Sequence, residues 1–134
     1  MPKIILTENQ KEILSTHAEQ ENPNESCAIL FGKETQEVSK VEKIFLTENI
    51  EQSPVNFTIS AEQRLEADKI ERESELKIIG IFHSHPNSEA YPSDTDKKFM
   101  EINPGVWVIF SGALKNFKAY VLDKGIKEIP IEFT

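Results

Sequence analysis

Three side chains near the middle of the sequence have the types and spacing of a metal chelate. His83 and His85 stand one residue apart at the end of the run Lys77-Ile78-Ile79-Gly80-Ile81-Phe82, which is apolar, of strand length, and expected to end at Pro86. Alternate residues of a strand share a face, so the two imidazoles emerge together at its C-terminal end. Seven residues separate His85 from Ser93, and Asp96 follows three positions later, one turn inside a helix that Ser93 would cap. Two imidazoles and one carboxylate leave the fourth corner of a tetrahedron open for water, which distinguishes catalytic zinc sites from closed structural ones. Each residue also has a plainer reading. Two histidines before a proline can satisfy core hydrogen bonds, and Ser93 with Asp96 fits an N-cap and its reciprocal partner. The two roles coexist easily for Ser93 and less easily for Asp96.

The surrounding pattern predicts the elements that would hold such a site. Thr7 and Gln10 form a capping box for a helix running to about Glu21, where Asn22-Pro23 stops it. Glu25 to Phe31 reads as a buried strand, Gly32-Lys33-Glu34 as a turn, and Val38 to Leu46 as the second arm of a hairpin. A polar stretch from Thr47 to Asn56 precedes a short strand Phe57-Thr58-Ile59, and Ser60 with Gln63 caps a charged helix ending near Ser74. After the capped helix at Ser93, which reaches about Ile102, Val106–Phe110, Phe117–Leu122 and Ile126–Ile131 read as three closing strands.

The string His83-Ser84-His85, seven residues, Ser93, two residues, Asp96 matches the signature H-[ST]-H-x7-S-x2-D at every defined position. With it the chain resembles the JAMM (MPN+, JAB-domain) metallopeptidases. Upstream, Pro23-Asn24-Glu25-Ser26-Cys27 through Gly32 resembles the family's glutamate-bearing segment, with Ala28 where a glycine is common. The order of elements is similar to the minimal MPN domain over essentially the whole chain.

What the resemblance implies is an α/β fold of cytidine-deaminase-like type, a single domain over residues 1–134 with a mixed, curved β-sheet flanked by helices. It implies one Zn2+ per chain on His83, His85 and Asp96, Glu25 as general base, and Ser93 helping to stabilise the oxyanion. The implied reaction is hydrolysis of an isopeptide or peptide bond at the C-terminal glycine of a ubiquitin-like modifier. C-terminal processing of a small ubiquitin-like sulfur carrier and a non-catalytic MPN scaffold are the alternatives. Asn103-Pro104-Gly105 leads almost directly into the Val106 strand, which resembles the compact prokaryotic or archaeal form rather than larger relatives with a second insertion there. The segment Thr47–Asn56 is expected to act as a flap that pairs with an extended substrate tail as an added strand.

Composition narrows the partners. A formal net charge of -8 over 134 residues argues against a nucleic-acid surface, which needs clustered Lys and Arg. The expected partner is a ubiquitin-like protein or its conjugates. No stretch approaches the roughly 18 apolar residues that cross a bilayer, and the apolar run after Met1 is too short for a signal peptide. One cysteine, Cys27, forms no internal disulfide, so a cytoplasmic setting is the default expectation. Cys27 and Trp107 read as core and His17 as plain surface of the first helix. A nucleoside deaminase would need a later Pro-Cys-x-x-Cys, and the thermolysin-type H-E-x-x-H is absent. Oligomeric state has no signature in the sequence.

Overall fold

A computed structural model describes residues 2–134. In chain order the elements are β1 (Lys3–Leu6), α1 (Glu8–Glu21), β2 (Cys27–Glu34), β3 (Val38–Thr47), α2 (Ala61–Glu73), β4 (Lys77–His85), α3 (Asp94–Ile102), β5 (Val106–Ser111), β6 (Asn116–Leu122), β7 (Ile126–Ile129) and β8 (Ile131–Phe133). The strands form one mixed sheet of eight in the order β7-β6-β5-β4-β2-β3-β1-β8. β4 lies between β2, antiparallel to it, and β5, parallel to it. This curved α/β sheet with its flanking helices is the architecture the sequence implied.

Strand parity sorts the core into two faces. Ala28 and Leu30 of β2, Phe82 of β4, and Val106, Val108 and Phe110 of β5 point to one side, where Leu14 and Ala18 of α1 pack. Cys27, Ile29 and Phe31, then Ile81, then Trp107 and Ile109 point to the other, against Ala67 of α2 and Met100 of α3. Burying one such Leu or Phe contributes about 1.5–3 kcal/mol, and β4, buried from Ile79 to His85, sits between the two clusters. His83 and His85 share the parity of Ile81, so they face the α2 and α3 side.

Several predicted boundaries move, each for a physical reason. β1 was not expected, because its four residues become a strand only through parallel pairing with β3 and β8. The hairpin does not turn at Gly32. β2 continues to Glu34 and the tip lies at residues 35–37, closed by Thr35 N–H donating to Val38 O at 2.8 Å. Gly32 serves a close approach instead: a Cβ there would sit 1.9 Å from Lys40 O beside a register shift in the β2–β3 and β2–β4 ladders. Phe57–Ile59 is not a strand but contributes a single bridge, Asn49 to Ile59. The run Ile126–Ile131 is not one strand either. Pro130, which has no N–H, breaks it into β7 and β8 at opposite edges of the sheet. The closing hydrogen bond runs from Ile4 N–H to Pro130 O at 3.1 Å.

Candidate metal centre and active site

The β2–β4 ladder brings the predicted residues together. Cys27 pairs with His83 in the antiparallel register, so continuing it places Ser26 opposite Ser84 and Glu25 opposite His85. The side chains bear this out. Ser26 N–H donates to Ser84 Oγ at 2.8 Å, Ser84 N–H donates to Ser26 O at 3.1 Å, and the two hydroxyls lie 2.9 Å apart. Glu25 has the parity of Cys27, and its Oε2 is 3.9 Å from His85 Nε2. One donor atom each from Glu25, His83 and His85 lies within a 4.8 Å group.

Asp96 completes the group from α3. Its Oδ2 is 3.0 Å from His83 Nε2 and 3.1 Å from His85 Nε2, and the two Nε2 atoms are 3.0 Å apart. The same Oδ2 accepts Ser93 N–H at 2.9 Å while Ser93 Oγ accepts Asp96 N–H at 3.1 Å, a complete capping box. The two readings of Asp96 therefore coincide: the cap holds the carboxylate against the histidines. Glu25, His83, His85 and Asp96 are 3%, 0%, 5% and 4% exposed, whereas Ser93 stands at the surface.

This donor set fits a small cation. A tetrahedral ion with bonds of about 2.0–2.1 Å has ligand atoms roughly 3.3 Å apart, close to the observed triangle. His85 Nδ1 lies 2.9 Å from Glu89 O. A carbonyl only accepts, so the proton of the neutral ring sits on Nδ1 and Nε2 presents a lone pair to the centre. Burial pushes His83 below its ordinary value and keeps it neutral. Burial opposes charge on His85, but the Asp96 carboxylate, the Glu89 carbonyl and Glu25 outweigh it and hold the ring above its usual value. Burial likewise disfavours ionised Asp96, yet in the metal-free chain the two imidazoles facing it, with any proton they carry on Nε2, keep its carboxyl well below the usual range. Glu25 is the reverse case: burial, opposed by His85 and reinforced by Asp96, pushes it up to about 8. Within the described residues, Glu25 Oε1 and His83 Nδ1 are buried without a hydrogen-bond partner. The carboxylate thus keeps one oxygen uncommitted at the edge of the donor triangle.

Other predicted residues fall as follows. Cys27 is core, its thiol pushed up to about 11 by burial and accepting from Thr47 Oγ1 at 3.1 Å. Trp107 is buried, its ring edge-on to His83 at 5.6 Å. His17 is not plain surface: Nε2 lies 3.1 Å from Cys27 O and 3.2 Å from Thr47 O, pinning α1 to the end of the β2–β3 pair. Its place between Leu14 and Ala18 on one helical stripe was the signal for this. Gln63 does not complete the expected box with Ser60; its Oε1 accepts Glu48 N–H at 2.8 Å.

The segment Thr47–Asn56 is folded on itself. Ile50 N–H donates to Thr58 O, Glu51 N–H to Asn49 Oδ1, Gln52 N–H to Asn49 O, and the amides of Val55 and Asn56 to Ser53 Oγ. Sequence reasoning missed Phe57, which follows this segment and stacks on the His83 ring with centroids 4.8 Å apart. Among the described residues, no helix is long and apolar enough to cross a membrane.

Comparison with known proteins places the family and the fold. The family described as prokaryotic homologs of the JAB domain matches residues 7–123. A desampylase of Pyrococcus furiosus is 34% identical over 100 residues, covering 75% of this chain and 68% of that protein. A CysO-cysteine peptidase of Mycobacterium tuberculosis is 24% identical over 134 residues, covering 96% of this chain and 89% of its own length. The solution structure of protein DSY2949 from Desulfitobacterium hafniense superposes with a TM-score of 0.88 at 32% identity, covering 98% of this chain and 92% of that one.

Proposed function

The chain belongs to the prokaryotic homologs of the JAB domain, and from that premise we propose that it is a zinc-dependent peptidase that cuts at the C-terminal glycine of a ubiquitin-like modifier. The observation that carries the reading is the buried triangle of His83 Nε2, His85 Nε2 and Asp96 Oδ2, with Glu25 opposite His85. The similarity to a desampylase and to a CysO-cysteine peptidase supports the substrate class.

On this reading His83, His85 and Asp96 hold one zinc ion per chain. Bound there, zinc supplies a Lewis acid that makes water acidic near neutral pH. Glu25, ionised once a cation's charge offsets the burial that holds it at about 8 in the metal-free chain, would take the proton from the attacking water and pass it to the leaving amine, so the C–N bond breaks to a carboxylic acid and a neutral amine. The Ser93 hydroxyl, whose oxygen already accepts from Asp96 N–H, keeps its own proton to donate to the oxyanion. Buried walls keep bulk water from screening these charges.

The segment Thr47–Asn56 stands beside Glu25, with Ser53 O accepting the Glu25 amide at 2.8 Å. It is proposed to meet the extended substrate tail; replacing exposed Ile50 and Val55 by serine then raises KM, and an unchanged KM removes the segment from the substrate path. A cytoplasmic setting remains part of the proposal.

The test is mass spectrometry of products after incubating zinc-loaded protein with lysine-linked ubiquitin-like conjugates and with C-terminally extended sulfur carriers, using Glu25→Gln as control. Cleavage after the terminal glycine of the conjugates supports the isopeptide reading. Cleavage of the extended carriers alone moves the assignment to C-terminal processing, which the likeness to a CysO-cysteine peptidase favours as the second reading. Zinc binding with neither cut points to the non-catalytic scaffold.

A further inference from the structure

Glu25 lies outside the strand that its parity continues. β2 begins at Cys27, and Ser26 is tied to Ser84, so no ladder holds the Glu25 backbone. Both of its backbone groups go instead to the loop after β3: the N–H donates to Ser53 O at 2.8 Å, and the carbonyl accepts Asn49 Nδ2 at 3.0 Å. Asn49 is 3% exposed and every polar position of its amide is engaged. Nδ2 donates to Glu25 O and to Asn56 O at 3.0 Å, while Oδ1 accepts Glu51 N–H at 3.1 Å and Thr58 N–H at 3.2 Å. Two carbonyls on one side and two amides on the other fix which end of the side chain is which. The same loop reaches the metal ligands through Phe57, stacked on His83.

We propose that Asn49 is a positioning residue: by cross-linking the loop over residues 49–58 and holding its base to the Glu25 carbonyl, it aims the Glu25 carboxylate at the water position beside the three ligands. The inference rests on the function proposed above for its catalytic consequence, but not for its structural one. A buried amide that gives two hydrogen bonds and takes two cannot be exchanged silently, because each buried group left unpaired costs about 1–3 kcal/mol. Asn49→Asp is nearly isosteric and keeps the Oδ1 acceptor. It removes both donors and sets a carboxylate oxygen against the carbonyls of Glu25 and Asn56.

The experiment compares wild type, N49D, Thr58→Val, Glu25→Gln and the N49D/E25Q double variant, all zinc-loaded, by amide exchange, zinc competition with a chelating dye, and peptidase kinetics. In N49D the Glu25 amide is expected to exchange at least about tenfold faster, while the Cys27 and His83 amides keep their rates. Zinc affinity stays within about threefold, and kcat falls about 10–100-fold, the scale seen for supporting groups around metal sites, with KM changed less than about threefold. Thr58→Val removes only the hydroxyl bond to the Glu51 carboxylate and leaves all of these readouts at wild-type values. Because Asn49 acts through Glu25, N49D costs no further turnover in the Glu25→Gln background.

An unchanged Glu25 amide rate in N49D, or kinetic losses that simply add, overturns the proposal. Should N49D fail to fold, wild-type exchange decides. Glu25 must open together with the amides of Glu51 and Thr58, and opening with β2 instead refutes it. If wild type cleaves no ubiquitin-like substrate, the function proposal fails on its own while the exchange result still judges Asn49.

Discussion

Two helices of this molecule begin with the same device and put it to different use. α1 opens on Thr7 with Gln10 and α3 on Ser93 with Asp96, and both capping boxes are complete. In α1 the N3 side chain is an amide: Gln10 Oε1 accepts Thr7 N–H at 2.9 Å and its Nε2 reaches Val41 O at 3.0 Å. In α3 the N3 side chain is a carboxylate, and the oxygen that accepts Ser93 N–H also faces two imidazoles. One box is finished by the fold, whereas the other leaves a buried carboxylate oxygen between two imidazoles, where the proposed cation would sit. A helix start thus offers a candidate ligand when three conditions meet: a carboxylate at N3, burial, and nitrogen donors on the facing strand.

The largest effect that sharpens this contrast is expected from Asp96→Ala. It removes a ligand and a cap at once, so zinc stoichiometry collapses and kcat/KM falls by at least about 10³-fold, the scale of losing a preorganised electrostatic group. Gln10→Ala leaves both at wild-type values. Retained zinc in Asp96→Ala, measured by metal analysis after gel filtration, breaks the comparison.

Removal of the metal comes next. A ligand at one hundred times its Kd stabilises the folded state by about 2.7 kcal/mol. Chelation is therefore expected to lower the melting temperature by several degrees. In amide exchange the loosening should centre on Ser93 and Asp96 and leave Thr7 and Gln10 as they were. Equal loosening at both helix starts would show that the α3 box does not depend on the ion.

Ser93→Ala is expected to cost about 1 kcal/mol of stability as a lost cap and, in addition, about tenfold or more in kcat if the hydroxyl meets the oxyanion. Thr7→Ala gives the smallest change, about 1 kcal/mol in denaturant unfolding with kcat untouched. If the two variants lose stability and turnover alike, Ser93 has no role beyond its helix.

The site was legible in the sequence to the extent that it is local. His83 and His85 follow from strand parity, and Ser93 with Asp96 from helix capping. Their convergence needed only that β4 and α3 be neighbours. Glu25 was reachable by resemblance, but its position opposite His85 depends on the β2–β4 register, which no single strand encodes. Asn49 left no trace, because three of its partners lie in a loop whose geometry is decided by the assembled sheet and the fourth, Glu25 O, comes from the segment before β2. Gln63 shows the same limit, and His17 shows it in part, since its stripe signals burial but not its partners. Each sits on a predicted helix, yet its hydrogen bonds go to Glu48, Cys27 and Thr47, residues brought near by tertiary contacts.

The break at Pro130 gives the sheet a pairing between residues far apart in the sequence. β8 pairs with β1, as in the ion pair of Lys3 and Glu132, 129 positions apart and 3.0 Å from one another. Closing so long a loop costs chain entropy that grows as about (3/2)RT ln n, and such distant pairings form late because other contacts must shorten the path first. Lys3 lies beside Val38 of β3, so β1 can reach that partner across a far shorter loop than the one that brings β8 to its other edge. The seam between β1 and β8 is therefore expected to form late, after the pairings that hold the histidine strand and its neighbours.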